Sequence, residues 1–265
     1  MIFHSAFENS YLWYPLIGLL VGLIGTLIGG GGGFFFIPVL ALLFGVPANI
    51  AVATSLAATL PICIIGSVAH YRNGNIKVRT GLIFAAAGVL GAFSGASITS
   101  LITPQQLKVS WGIYIVLIAL QMIVSTWKKK RDEANGIVKP ESSRLGKITA
   151  GTFFGFIAGI ITATFGTSGA TPVQAGLFAM RIPVKMVIGT SLMVVMVNTA
   201  SALGAHFLVG DIDLTQVYFL TAGTIIGSLL GPRFLNGIKL ERVEGPIRIW
   251  YAVGMIVFGT LMILS

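Results

Sequence analysis

Pro47-Ala48-Asn49-Ile50-Ala51-Val52-Ala53-Thr54-Ser55-Leu56 returns later in the chain as Pro183-Val184-Lys185-Met186-Val187-Ile188-Gly189-Thr190-Ser191-Leu192, 136 residues on. The same spacing pairs His70 with His206, Gly74 with Gly210, Ile76 with Ile212, Gly91 with Gly227 and Gly95 with Gly231. Further upstream the spacing becomes 134, which pairs Pro38 with Pro172 and Phe44 with Phe178, and two residues in the second half absorb the difference. Coincidences in this order mark an internal duplication. The halves are residues 14–127 and 147–264. The linker between them, 128–146, opens with Lys128-Lys129-Lys130-Arg131 and is the most hydrophilic stretch of the chain.

The duplicated unit is apolar. Of 265 residues, 55% are hydrophobic and 9% charged, where a soluble domain has about a quarter charged. Mean hydropathy is +0.92. Several apolar runs reach the roughly 20 residues that a membrane-spanning helix needs. A β-barrel would alternate in polarity, and these runs do not. The sequence therefore predicts an all-α polytopic membrane protein, with lipids as its surroundings. Its net charge of +9 sits mostly between apolar runs, as the positive-inside rule requires, so no nucleic acid is expected as a partner. Cys63 is the single cysteine, which leaves no disulfide or thiol relay within one chain. Residues 1–14 hold Glu8 and no Lys or Arg. That is unlike a cleavable signal peptide, and the first apolar run is expected to be retained.

Each half opens on one unusual segment, 15–44 or 148–181, followed by three ordinary spans. The spans are 49–71, 79–102 and 107–127, then 185–209, 215–235 and 246–264. Gly29-Gly30-Gly31-Gly32-Gly33 interrupts the first unusual segment, and Gly166-Thr167-Ser168-Gly169 the second. Pro38 and Pro172 follow the interruptions, and proline suits the first turn of a new helix. We read two part-helices joined by a glycine-rich turn, the second part crossing about half a bilayer at roughly 1.5 Å per residue. A single kinked span is the alternative.

Loop charge separates the two. Suppose each broken segment returns to the side it entered from, with the N-terminus outside. Arg72, Lys77, Arg79, the 128–147 linker, Arg181, Lys185, Lys239 and Arg242 then lie on the cytoplasmic side, with Arg233 and Arg248 near it. Lys108, Asp211, Asp213 and both termini lie outside. If each segment crosses once instead, the second half breaks the positive-inside rule. The favoured reading gives each half an odd number of crossings. The halves are then inverted-topology repeats, each a broken segment plus three transmembrane helices. Counting both limbs as crossings gives the same parity.

Inverted repeats with discontinuous helices mark transporters. A glycine turn admits a ligand to the backbone, and the helix beginning after it presents unpaired N–H groups and about half a positive charge. Two such ends, facing one another, offset about one anionic charge without a mid-membrane Lys or Arg, which insertion scales put at roughly 2.5–3.5 kcal/mol. The expected binding residues for a small anionic substrate are Gly31, Gly32, Gly33, Phe34, Thr54, Ser55, Thr167, Ser168, Gly169, Thr171, Thr190 and Ser191. Hydroxyls in apolar helices also bond back to a carbonyl one turn earlier, and the helix glycines Gly91, Gly95, Gly227 and Gly231 read best as packing positions. His70, Arg72, Gln174 and Asn198 are gating or supporting candidates. Helix carbonyls ending near Ile28 and Phe165 could hold a coupling ion, so coupling to H+ or Na+ is expected and no cofactor is. His70 and His206 fall on opposite faces, which excludes a shared metal site. No catalytic constellation and no phosphate-binding loop is present, so neither an enzyme nor an ATP-driven pump is expected. A homodimer would suit a carrier of this size.

These motifs carry a resemblance. Residues 29–33 followed by Ile37-Pro38, Pro47 with Ala53-Thr54-Ser55-Leu56, and His70-Tyr71-Arg72-Asn73-Gly74-Asn75-Ile76 resemble the first-half pattern of the TauE/SafE family of sulfite-exporter-like transporters. Gly189-Thr190-Ser191-Leu192 is similar to the second-half counterpart. The resemblance covers nearly the whole chain. It implies a secondary transporter that exports sulfite, sulfoacetate or another organosulfonate, driven by an ion gradient. The second glycine cluster of the family is here Gly166-Thr167-Ser168-Gly169-Ala170-Thr171, richer in hydroxyls. A carrier of another small organic anion and a non-transporting membrane scaffold are the competing readings.

Overall fold

The computed structural model describes residues 2–134, 144–209, 211–235 and 240–264. Gly210, Lys239, linker residues 135–143 and the side chains of Lys128, Lys129, Lys130, Arg233, Arg242 and Arg248 lie outside the described residues. The first half runs α1 (Tyr14–Ile28), α2 (Gly33–Pro38), a π-helical turn (Val39–Leu43), α3 (Ala48–Arg72), α4 (Val78–Leu101) and α5 (Pro104–Ala134). The second runs α6 (Arg144–Phe165), α7 (Ala170–Ala179), α8 (Val184–Val209), α9 (Leu214–Leu235) and α10 (Leu240–Leu264). A 3₁₀ turn, Asn9–Trp13, leads into α1, and two short strands, β1 (Ile2–Phe3) and β2 (Ile212–Asp213), pair in parallel. The protein is all-α and polytopic, with 7 helices among the described residues long and apolar enough to cross a membrane.

Local chemistry sets the helix ends. Pro15 sits in the first turn of α1, and Gly29, left-handed at φ 76°, ends it, the arrangement that relieves both orphaned ends. α5 starts on a capping box: Thr103 N–H donates to Gln106 Oε1 at 3.0 Å and Gln106 N–H to Thr103 Oγ1 at 3.2 Å. α5 then continues to Ala134, so the first basic residues of the linker extend a helix instead of opening a loop.

The broken segments have unequal limbs. The entering limbs, Asn9–Ile28 and Gly146–Phe165, are each 20 residues and long enough to span. The returning limbs, Gly33–Leu43 and α7, are short. Backbone conformation also shifts the match between halves. Left-handed residues pair Gly29 with Gly166, Gly32 with Gly169, and Gly45 with Arg181. The first two pairs lie 137 apart and the third 136, so the first half holds one residue more in its returning limb. Hydrogen bonding agrees, since Val46 N–H reaches back to Leu40 O where Ile182 N–H reaches back to Leu177 O. The π turn Val39–Leu43 takes up that residue. Pro38 and Pro172 are therefore not equivalent. Pro172 is in the first turn of α7, as expected. Pro38 closes α2, and with no N–H to continue the α ladder it hands over to the π turn.

α3 and α8 are central, with 67% and 61% of their apolar windows buried against 33–50% for the other spans. Around them, each entering helix packs on the other half. α1 lies along α9, and α6 lies along α4; these are one contact made twice under the repeat. Glycines permit it on both sides. A methyl at Gly223 or Gly227 would strike the carbonyl of Pro15 or Leu19, and one at Gly91 or Gly95 that of Phe156 or Ile160. Reciprocally, Gly18 and Gly22 face the carbonyls of Leu220 and Thr224, while Gly155 and Gly159 face those of Phe84 and Gly88. Large apolar side chains such as Leu90, Leu117, Phe153 and Leu229 point outward, which suits a surface solvated by lipid.

Candidate functional site

The two turns meet in the interior. α1 stops where Gly29, Gly30 and Gly31 direct their N–H groups at one carbonyl, Gly25 O, at 3.1, 3.1 and 3.3 Å. Gly29, Gly31 and Gly32 hold φ of 76°, 67° and 81°, a run that L side chains do not sustain. Gly33 then lies against the second turn. A methyl there would sit 2.9 Å from Ser168 N and 3.0 Å from Gly166 O. α2 and α7 begin on left-handed Gly32 and Gly169, and neither has a side-chain cap.

Ser55 and Ser191 tie each turn to the opposite half. Ser55 Oγ donates to Gly166 O at 2.8 Å. Ser191 Oγ donates to Gly29 O at 2.9 Å and also lies 2.9 Å from Ile188 O in its own helix. Gln174 Nε2 adds bonds to Ile28 O at 3.1 Å and Gly29 O at 3.3 Å. Carbonyls at the end of α1, Ile28 O and Gly29 O, thus accept side-chain hydrogen bonds from the second half. On the α6 side, His206 Nε2 lies 2.7 Å from Ala163 O.

Two hydroxyls of the second turn, and one on α3, have no such partners. Thr54, Thr167 and Ser168 are each 0% exposed, and their oxygens have no hydrogen-bond partner among the described residues. Thr59 Oγ1 is in the same state. Buried polar atoms are rarely left unpaired, and each costs about 1–3 kcal/mol when it is. Tyr114 of α5, stacked on Phe165 at 5.0 Å, brings its hydroxyl near Thr167 without reaching hydrogen-bond geometry. Gly30 is buried, yet no atom lies within 4 Å of where its side chain would point.

The structure brings together Gly31, Gly32, Gly33, Ser55, Thr167, Ser168, Gly169, Gln174 and Ser191. Phe34 is buried in the apolar cluster with Leu56 and Trp111. Thr171 is half-buried on α7. Thr190 points away from the turns and accepts the Lys77 N–H at 2.9 Å, so the two Thr-Ser pairs are not used alike. His70 is buried beside Gly189, its ring nitrogens without a hydrogen-bond partner among the described residues, and Arg72 is exposed at the end of α3. Asn198 packs its amide, which has no hydrogen-bond partner among the described residues, onto Gly88 of α4. Sequence reasoning missed Gly30, Thr59, Cys63 and Tyr114. Thr59 follows Ser55 by four residues on one helix face and was within reach. Cys63, whose sulfur a methyl at Gly31 would meet at 2.7 Å, and Tyr114 arrive only through tertiary packing.

Residues 14–262 match the protein family described as Sulfite exporter TauE/SafE. The chain is 30% identical to "Probable membrane transporter protein YdhB" of Bacillus subtilis over 83% of this chain and 89% of that protein. It is 30% identical to a "Probable membrane transporter protein" of Xylella fastidiosa over 90% and 92% of the two chains. It is 26% identical to "Probable membrane transporter protein MJ0441" of Methanocaldococcus jannaschii over 94% of each. No solved structure matches the chain significantly.

Proposed function

Because the chain belongs to the sulfite exporter TauE/SafE family, we propose that this membrane transporter exports small sulfur-containing anions, sulfite or an organosulfonate such as sulfoacetate. The observation that carries the reading is the meeting of two glycine-capped turns beside buried hydroxyls that have no hydrogen-bond partner among the described residues. Thr167, Ser168 and the start of α7, which has no side-chain cap, can donate, and an oxyanion only accepts. The two helix ends add partial positive charge where the span interiors supply no Lys or Arg, the basic residues of the spans lying near their ends.

The crossed serine bonds suggest how the site moves. Ser55 and Ser191 sit on the central helices α3 and α8, and each holds the turn of the other half. In this account the halves are inverted repeats with the turns near the midplane. Rocking one entering-helix pair against the other opens the turns to one face at a time. A proton or sodium gradient drives export.

Counterflow in proteoliposomes tests this. Vesicles loaded with unlabelled sulfite or sulfoacetate should take up the labelled anion transiently against its gradient. Uptake of a labelled carboxylate alone would make the protein a carrier of another organic anion. No saturable counterflow of any anion would favour a scaffold.

A further inference from the structure

We infer a second oxyanion site, in a basic vestibule between the α3–α4 loop, the start of α6 and the α7–α8 loop. Its use as a collecting point for substrate rests on the transport reading; its chemistry does not. A cavity of about 340 Å³ is lined there by Lys77, Thr80, Lys147, Met180, Arg181 and Ile182. Lys77, Arg181 and Thr80 line one concavity together with Lys147, and among the described residues no carboxylate lines it.

Basic loops alone would follow from membrane orientation. Two observations go further. Arg181 has φ 58° and is the one described non-glycine residue with positive φ. Its counterpart, Gly45, holds φ 62°, so the turn needs only a glycine. A side chain at such an angle is strained, and strain of this kind is kept where it serves a site. The equivalent corner of the other half gives the second observation. At the repeat spacing of 136, Lys77 corresponds to Asp213, Thr80 to Gln216 and Arg181 to Gly45. Asp213 is 1% exposed. It accepts the N–H of Ser5 at 3.2 Å and of Thr215 at 3.0 Å, and β1 pairs over it. One corner is acidic and covered, the other basic and open, with Lys77 and Arg181 exposed. The shared architecture does not dictate the cations.

The vestibule also connects to the turns. Lys77 N–H is held by Thr190 Oγ1, and the next residue, Ser191, holds Gly29 O. The ligand chemistry is an oxyanion group, sulfite, sulfonate or phosphate, free in solution or carried as the headgroup of an anionic lipid.

The test is calorimetric titration of the purified full-length protein with sulfate and with sulfite, alongside native mass spectrometry for retained phosphatidylglycerol. The variants are Arg181→Gly, which the first half shows the turn accepts, Lys77→Gln, and Arg181→Lys as the charge-preserving control. Loss of one charged hydrogen bond predicts anion binding weakened about tenfold in Arg181→Gly and Lys77→Gln, with much of it restored in Arg181→Lys. Unchanged anion binding with loss of retained phosphatidylglycerol supports the site with a lipid as the source. Both unchanged overturns it. Failed counterflow with intact vestibule binding would sink the transport reading alone, and normal counterflow with an Arg181→Gly protein that binds anion and lipid like the parent would sink this inference alone.

Discussion

Ser55 and Ser191 perform one task from opposite halves, each bonding the backbone of the other half's turn. A net hydrogen bond of this kind contributes about 1 kcal/mol. Ser55→Ala should lower stability by about that much, read as a lower midpoint in thermal unfolding in detergent, and a doubly substituted protein should fall further. An unchanged midpoint would mean the bonds contribute nothing. Gly33 is a sharper case, because its φ is not in the left-handed region and only space opposes a side chain. Gly33→Ala should leave a folded, monodisperse protein whose second turn is displaced, with counterflow lost. The sequence made these positions visible because the duplication marked both Thr-Ser pairs and both breaks. It did not distinguish Thr54 from Thr190, since that difference comes from the α3–α4 loop folding back onto α8.

At the scale of elements, the helices were legible and their partners were not. The expected span 49–71 is α3, Ala48–Arg72, and 79–102 is α4, Val78–Leu101, because hydropathy and helix-ending glycines report local physics. The unequal limbs and the π turn depend on how each segment sits in the bundle. Gly91 and Gly95 of α4 and Gly227 and Gly231 of α9 read as packing positions, and the structure shows what they pack on: α6 and α1, each a helix from the other half. Gly91→Val and Gly227→Val should therefore separate α4 from α6 and α9 from α1. Both should abolish monodisperse protein in size-exclusion chromatography. Gly204, exposed on α8 with nothing within 4 Å of an added methyl, is the control. Gly204→Ala should be neutral or stabilise by up to about 1 kcal/mol.

For the whole molecule, duplication and loop charge together predict opposite orientations for the halves. Single cysteines at Glu8 and Gln105 should react with an impermeant maleimide added to intact cells, and those at Asn73 and Lys185 only after permeabilisation. All four positions are exposed, and the native Cys63 is buried. Labelling of Lys185 from outside would mean the halves run in parallel. The cross-half packing of α1 on α9 and α6 on α4 gives such an arrangement a way to work, since each half holds the other's turn. The most direct test of that account is sulfite counterflow by the parent protein and Gly33→Ala, reconstituted side by side at equal density. The account predicts a transient overshoot of labelled sulfite in the parent and none in the variant. An equal overshoot in both would place the transport site away from the two turns.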